Sequence, residues 1–569
     1  MRKTKPECMK QFHKGNRFNF AMTLLSLLLA SLMNIGMAFM LQYFIEAVEF
    51  SDRVILSKGF IVTAAYMIIY GSFSFLIKKY RNRYMRSALS QFKNYVFEKI
   101  LHKSIAQFEN GASAKFISAF SNDLNSIETN YLAGTLSLIL TILMYVGAVI
   151  ASIYIKWNLA IPIFIVSIIC ILLSLKYGQK LVKKESETSD ENMGFVAQVK
   201  DLLSGFIVIK SFKAEKEVLK IFNKKNVELE AAKQGRRETS DTVSIFGDIS
   251  SIIVNTLIFG LGFYYAFAGK MTIGMVIAFI QLGNYILGPV RSLAPLISNR
   301  RAAIELIHRI SDAIEEEEER PEGIPLRSFN DKIEFQNVNF SYEEEKEVLN
   351  NINVTFEKGK SYAIVGASGC GKSTILKLML GYHLNYQGDI LIDGTPIKNI
   401  NLDSLYDKMS IIQQEVFLFD SSIKNNITMF SEFDEDKIRK AIEKAGLSDY
   451  IEQKGDDYSC GEGGKNLSGG EKQRVSIARC LIRETPILLM DEATASLDNK
   501  TAHNVENAIL DIENITRIIV THRYSEDIMR KYDSIIVMNK GHIIEHGHFD
   551  ELMQAKGFFY SLFNISKED

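Results

Sequence analysis

Cysteine is scarce in this chain. Its 569 residues hold five, Cys8, Cys170, Cys370, Cys460 and Cys480, with no C-x-x-C pair and no regular spacing. That argues against both a disulfide framework and a zinc site. Charge bias is missing too: 66 basic against 67 acidic residues leave a formal net charge of -1, so nothing global draws the chain to nucleic acid. No small-residue cleavage site follows the basic N-terminus, and the apolar run behind it is too long for a signal peptide. Tryptophan occurs once, as Trp157. Hydrophobic content, 47%, is ordinary. Its distribution is not, because long apolar runs crowd the first three hundred residues and are absent afterwards.

Those runs number six: Phe18–Phe44, Gly59–Ile77, Tyr131–Ile155, Leu159–Tyr177, Ile249–Ala268 and Ile273–Ile297. Each is near or above the roughly 20 residues that cross a bilayer as helix. Ahead of them, residues 1–17 are polar and basic and read as a short helix on the membrane surface. Arg2, Lys3, Lys5, Lys10, Lys14 and Arg17 precede the first run, and Lys78, Lys79, Arg81, Arg83 and Arg86 follow the second. Lys180, Lys183 and Lys184 follow the fourth, and Arg300, Arg301 and Arg309 follow the sixth. The remaining connections carry only Arg53, Lys58, Lys156 and Lys270. The heavily basic side is cytosolic by this asymmetry, which puts both termini inside the cell and Trp157 in a short outer loop.

The two inner connections, near Lys78–Asn130 and Gly178–Asp248, are long and helical by pattern; Leu89, Phe92, Val96 and Ile100 recur at helical spacing. Folded as hairpins, arms of about 25 residues project about 37 Å into the cytosol, with reversals expected at Phe108–Phe116 and Gly205–Glu217. Polar groups within spans are few: Asp248, Asn255, Gln281 and Asn284. Asp248 is either a functional ionisable group or a solvated helix end. Pro289 and Pro295 either bend the sixth helix or mark its cytosolic exit. The acidic run Glu315–Glu319, with Pro321 and Pro325 behind it, reads as a linker. The expected division is a membrane domain over residues 1–310, a linker over 311–330 and a second domain over 331–569.

The second domain is organised around Gly366-Ala367-Ser368-Gly369-Cys370-Gly371-Lys372-Ser373-Thr374, which fits G-x-x-x-x-G-K-[ST]. The apolar run Ser361–Val365 precedes it as a buried strand and a helix follows. Successive loop N–H groups and the helix N-terminus then face phosphate oxygens. Lys372 reaches the β- and γ-phosphates, and the Ser373 hydroxyl sits on Mg²⁺. Upstream, Ile333, Phe335, Val338 and Phe340 nearly alternate with polar residues, as in a half-exposed strand. Tyr342 behind them either stacks on an adenine or packs in the core. Leu467-Ser468-Gly469-Gly470-Glu471 places a serine N-cap and two glycines at a second helix start that seeks an anion. Pro486–Met490 reads as a buried parallel strand ending in Asp491-Glu492. Such a pair is costly without a cation or a task. Asp491 suits Mg²⁺, directly or through water, and Glu492 suits activating the attacking water. Ile518–Thr521 is a further strand ending in His522, at the edge where open α/β sheets bind ligands.

Taken together, these residues resemble an ABC transporter of the exporter type, and the resemblance covers almost the whole chain. LSGGE at Leu467–Glu471 matches the family signature, in order with the phosphate loop, Gln414, Asp491-Glu492, Ser496-Leu497-Asp498 and His522. The implied fold is an α-helical membrane domain of six transmembrane helices with long cytosolic arms, joined to an α/β P-loop NTPase domain. The resemblance further implies a homodimer or heterodimer of half-transporters, each ATP lying between one subunit's phosphate loop and the other's Ser468–Gly470. It makes Tyr342 the adenine-stacking residue, Gln414 a sensor of Mg²⁺ and water, and Asp498 the coupler of the two sites. It also makes Phe108–Phe116 and Gly205–Glu217 the coupling-helix regions. Glu492 and the signature are intact, as a competent site requires. No peptidase domain precedes the spans, which argues against a processing peptide exporter.

The expected activity is ATP hydrolysis driving export of a hydrophobic or amphipathic drug, lipid or peptide by alternating access. Two alternatives are import of a metal chelate on the same architecture and an ATP-gated channel or sensor. Richness in isoleucine, lysine and asparagine points to a bacterial inner membrane.

Overall fold

The computed structural model describes residues 6–568 except 104, 106–107, 109–115, 117–119, 121–122, 316–322, 343–346 and 495–496. It divides into two compact units, residues 1–103 with 107–317, and residues 104–106 with 318–569.

Five long helices make up most of the first unit: α1 (Arg17–Glu49), α2 (Arg53–Leu101), α3 (Gly134–Ser204), α4 (Glu215–Phe267) and α5 (Ile273–Glu315). All five are long and apolar enough to cross a membrane. The six apolar runs map onto them because α3 holds two, divided at Lys156, whose φ of -160° and ψ of 97° are not helical. In a straight helix Tyr145 and Ser167 would lie about 33 Å apart, yet their hydroxyls meet at 3.0 Å. Lys156 is thus where the chain reverses, beside Trp157, which is 61% exposed. Side-chain caps open α2 and α5, the latter through the Thr272 hydroxyl, which accepts from the Met275 N–H at 3.1 Å. Asp52 accepts from the N–H groups of Val54 (2.8 Å) and Ile55 (3.1 Å) to start α2.

Helix-to-helix contact in this unit relies on small residues and side-chain-to-backbone bonds. A Cβ added to Gly178 would lie 2.8 Å from the Ala294 Cβ, and the Ser174 hydroxyl donates to the Val290 carbonyl at 2.8 Å. Pro289 and Pro295 both lie inside α5. Neither ends it, since that helix continues to Glu315. Ile310 and Ile314, 4% and 3% exposed and one turn apart, hold its last turns down. The helix therefore runs five residues into the stretch expected as linker, and the acidic residues 316–319 lie outside the described residues. Of the first expected reversal, Phe108–Phe116, only the two end residues are described, with rings stacked at 6.1 Å. At the second, α3 ends before Gly205 and a short helix, Phe206–Ser211, leads to α4. This short helix presents Ile207 and, at its end, Phe212, each 79% exposed.

Among the described residues the second unit holds ten strands. Lys332–Ser341 (β1), Glu347–Glu357 (β2), Gln387–Ile392 (β4) and Thr395–Pro396 (β5) form an antiparallel sheet in the order β2-β1-β4-β5. Ser361–Gly366 (β3), Met409–Ile412 (β6), Ile487–Asp491 (β7), Thr516–Val520 (β8), Ser534–Asn539 (β9) and His542–Gly547 (β10) form the other, ordered β10-β9-β3-β8-β7-β6. In this second sheet β9, β3, β8, β7 and β6 are mutually parallel, and β10 is antiparallel to β9. A register shift between Phe335 and Val338, with Asn337 at φ 52°, explains why β1 buries both although they stand three positions apart. Three helices position the site: α6 (Lys372–Met379), α7 (Gly469–Leu481) and α8 (Asn499–Leu510).

Candidate functional site

Strand order assembles the site. β8 lies between β3 and β7, with Val520 opposite both Ile364 and Asp491. The carboxyl ends of three adjacent strands therefore bring Gly366, Asp491-Glu492 and His522 together, at the sheet edge where such folds bind ligands. β3 is fully buried, which its unbroken apolar sequence requires.

The loop from β3 to α6 curls through Gly369 at φ 76° and Gly371 at φ 105°, conformations open to glycine. A Cβ at Gly371 would strike Leu349, whereas one at Gly369 meets nothing within 4 Å, so Gly369 borders open space. Lys372 is 4% exposed, and its ammonium donates to the carbonyls of Gly366 and Ala367, each at 3.1 Å. Among the described residues it pairs with no carboxylate. A buried cation resting on neutral carbonyls beside an open glycine loop fits a phosphate. Cys370 is buried, and burial pushes its thiol pKa up, which argues against redox chemistry there.

The Ser373 hydroxyl donates to Asp491 Oδ1 at 2.8 Å. Burial pushes the Asp491 carboxyl above its ordinary range, and neighbouring Glu492 adds to the rise while Ser373 opposes it. A divalent cation would relieve both burial and repulsion. Among the described residues no group of three or more His, Cys, Asp and Glu is arranged to hold a metal. A hydroxyl and one carboxylate, completed by phosphate oxygens and water, is the donor set Mg²⁺ takes.

Glu492 sits at φ 48°, a left-handed conformation unusual for a side-chain residue. Its Oε2 accepts from Gln414 Nε2 at 3.1 Å, and its Oε1 lies 2.7 Å from His522 Nε2. Two residues, from the ends of β6 and β8, thus converge on a carboxylate at the end of β7. Tyr342 is 48% exposed, and its hydroxyl meets that of Thr374 at 3.2 Å. Its ring meets those of Phe340 and His383 edge-on, with centroids 4.9 and 5.2 Å away.

Residues 20–290 match the ABC transporter transmembrane region model, and residues 349–495 match the ABC transporter model. The chain belongs to the ABC transporters. It is 29% identical over 561 residues to the ATP-dependent lipid A-core flippase of Syntrophus aciditrophicus, covering 97% of this chain and 92% of that protein. It is 28% identical to an uncharacterized ABC transporter ATP-binding protein of Bacillus subtilis, YwjA, over 82% of each chain. Its fold superposes on a bacterial Atm1-family ABC exporter solved with ATP bound, with a TM-score of 0.85 at 22% identity, covering 96% and 99% of the two chains. The architecture is therefore a helical membrane domain fused to an ATP-binding α/β domain, an ATPase coupled to transport.

In this ABC transporter two of the expected site elements stand apart from the rest. Ser468 caps α7: its N–H donates to Glu471 Oε2 at 2.7 Å and its hydroxyl accepts from the Glu471 N–H at 3.4 Å, a reciprocal capping box. Ser468 and Gly469 are exposed, and among the described residues no hydrogen bond joins them or Gly470 to the phosphate loop. Asp498 caps α8, accepting from the Thr501 N–H at 2.9 Å. Such bonds hold its carboxyl below the usual range. Two polar groups escaped sequence reading. Arg291, inside the sixth apolar run, pairs with Asp248 at 2.8 Å. Arg523 reaches back from His522 to the loop before Asp498. Arg291 was legible as a charge within an apolar run; for Arg523 no local pattern signalled a partner.

Proposed function

We propose that this chain is one half of a dimeric bacterial exporter that moves a lipid or another amphipathic substrate out of the cytosolic side of the inner membrane. The convergence of Gln414 and His522 on the Glu492 carboxylate carries the reading, because it holds a base at the position where water must attack. Lys372 and the amides of Gly366–Thr374 bind the phosphates of ATP. Ser373, Asp491 and Gln414 hold Mg²⁺, which supplies charge neutralisation to the transferred phosphoryl group. Glu492 takes the proton of the attacking water, and His522 steadies the terminal phosphate. Tyr342 stacks on the adenine.

The Ser468–Gly470 helix start, exposed at Ser468 and Gly469 and, among the described residues, without a hydrogen bond to its own phosphate loop, supports a dimer in which it closes the partner's nucleotide site and Asp498 couples the two. The basic-residue asymmetry of the connections supports termini in the cytosol. The relatives named for lipid A-core flipping support an amphiphile as substrate, and the intact Glu492 environment favours turnover over a gated channel.

The test uses purified protein in proteoliposomes carrying a fluorescent phospholipid. MgATP outside should drive label from the ATP-facing leaflet to the opposite one. ATP-dependent movement in the reverse sense would overturn export, and failure of the protein to bind MgATP would overturn the whole reading.

A further inference from the structure

Arg523 follows His522 directly, and its guanidinium grips the chain that runs from Glu492 to Asp498. Nη2 donates to the Leu497 carbonyl at 2.8 Å and the Thr494 carbonyl at 3.1 Å, while Nη1 donates to Asn499 Oδ1 at 3.2 Å. The same chain is tied from the other side. Thr494, 4% exposed, donates its hydroxyl to Oε1 of Glu506 at 2.6 Å, and Glu506, on α8, is 3% exposed. The Arg523 N–H donates to the Thr521 hydroxyl at 3.0 Å, fixing the turn that leaves β8. His522 touches Glu492 on one side of this turn, and Asp498 caps α8 on the other.

The result is a closed ring of contacts: Glu492 to His522, His522 to Arg523 through the backbone, Arg523 to Thr494 and Leu497, and the chain back to Glu492. A rigid planar fork can hold several acceptors at once, and charge-assisted bonds to carbonyls are stronger than neutral ones. A surface arginine tied only to carboxylates would not move the loop; this one is bound to the loop's own backbone. We propose that Arg523 is a positioning residue that couples His522 to the loop bearing Asp498. When His522 leaves Glu492 for the terminal phosphate of ATP, Arg523 draws Thr494 and Leu497 with it. Asp498 then changes how it faces a second copy of the chain. The inference rests on the proposed roles of His522 and Asp498.

Spatial adjacency does not establish coupling, so the test measures response. Full-length protein in lipid nanodiscs is compared as wild type, Arg523→Ala, Arg523→Lys and His522→Ala. ATPase rate is followed against ATP concentration. Hydrogen exchange is read at residues 494–500 and, as an internal control, at 366–374, with and without MgATP. Arg523→Ala should lower kcat about tenfold, the effect of losing about 1.4 kcal/mol from the transition state, and leave KM within about twofold. MgATP should still protect 366–374 in this variant and no longer protect 494–500. Arg523→Lys should behave the same, because a lysine has no second nitrogen to hold Asn499 while the first holds Thr494 and Leu497. Wild-type turnover or wild-type protection of 494–500 in Arg523→Ala would overturn the proposal. So would loss of protection at both segments, which would assign Arg523 a purely structural role. Unchanged turnover in His522→Ala would instead sink the proposed role of His522, while the exchange response of Arg523→Ala still judges the coupling.

Discussion

The Glu492 carboxylate and the His522 imidazole meet at 2.7 Å, although one follows β7 and the other β8. The Glu492 N–H also donates to the Val520 carbonyl at 3.0 Å. The backbone thus holds the acid against the neighbouring strand while its side chain stays available to His522 and Gln414.

Replacing that acid with its neutral isostere tests its chemistry while preserving its shape. Glu492→Gln should keep MgATP affinity and slow hydrolysis about 10²-fold or more, as loss of a general base does. Steady-state hydrolysis and equilibrium nucleotide binding in lipid separate the two. Undiminished turnover would remove Glu492 from its role.

Asp491 makes a prediction in pH. Its carboxyl titrates above the ordinary range because it is buried beside Glu492. A raised acid contributes stability that is complete below the unfolded value of about 3.9 and is lost as pH rises through the folded value. Without Mg²⁺, Asp491→Asn should match wild type in acid and exceed it in thermal stability near neutrality. With Mg²⁺ and ATP the order should reverse, because only the wild type gains a cation ligand. Differential scanning calorimetry across pH, with and without MgATP, checks both signs.

Tyr342 offers a ring and a hydroxyl that separate cleanly. Tyr342→Ala should weaken ATP binding about tenfold, since stacking on a base is worth roughly 1–3 kcal/mol. Tyr342→Phe keeps the ring, loses the tie to Thr374 and should fall in between. GTP and ATP should suffer alike, because a stacking face reads no base edge. Nucleotide titration of the three proteins measures it.

In the membrane unit, Gly178→Leu should force the second half of α3 away from α5. A Cβ there would already stand 2.8 Å from Ala294, and overpacking costs about 1–3 kcal/mol. A reduced unfolding midpoint in lipid, partly restored by Ala294→Gly, is the expected outcome. No loss at all would mean the helices part freely.

Much of the site is legible in the amino-acid sequence because its motifs are local. A glycine loop, an N-capped Ser468 and an acidic pair after an apolar run each carry their geometry within a few consecutive residues. The company these motifs keep is not written locally. Ser373 and Asp491 bond across 118 residues of chain only because β8 inserts between β3 and β7. Asp248 reads as a lone acid in the sequence, and the fold lays Arg291 beside it.

Sequence alone determined that apolar segments fill the first half, that a phosphate loop opens a helix in the second, and that an acidic pair and His522 sit at strand ends. These follow from side-chain periodicity and backbone preference, which act between near neighbours. Tertiary structure decided that Lys156 by itself reverses the chain between two apolar runs and that α5 passes through Pro289 and Pro295 unbroken. It also decided that Gln414, His522 and Arg523 find the partners they do. Those outcomes depend on which strands and helices pack side by side, a choice made by burial summed over a whole unit.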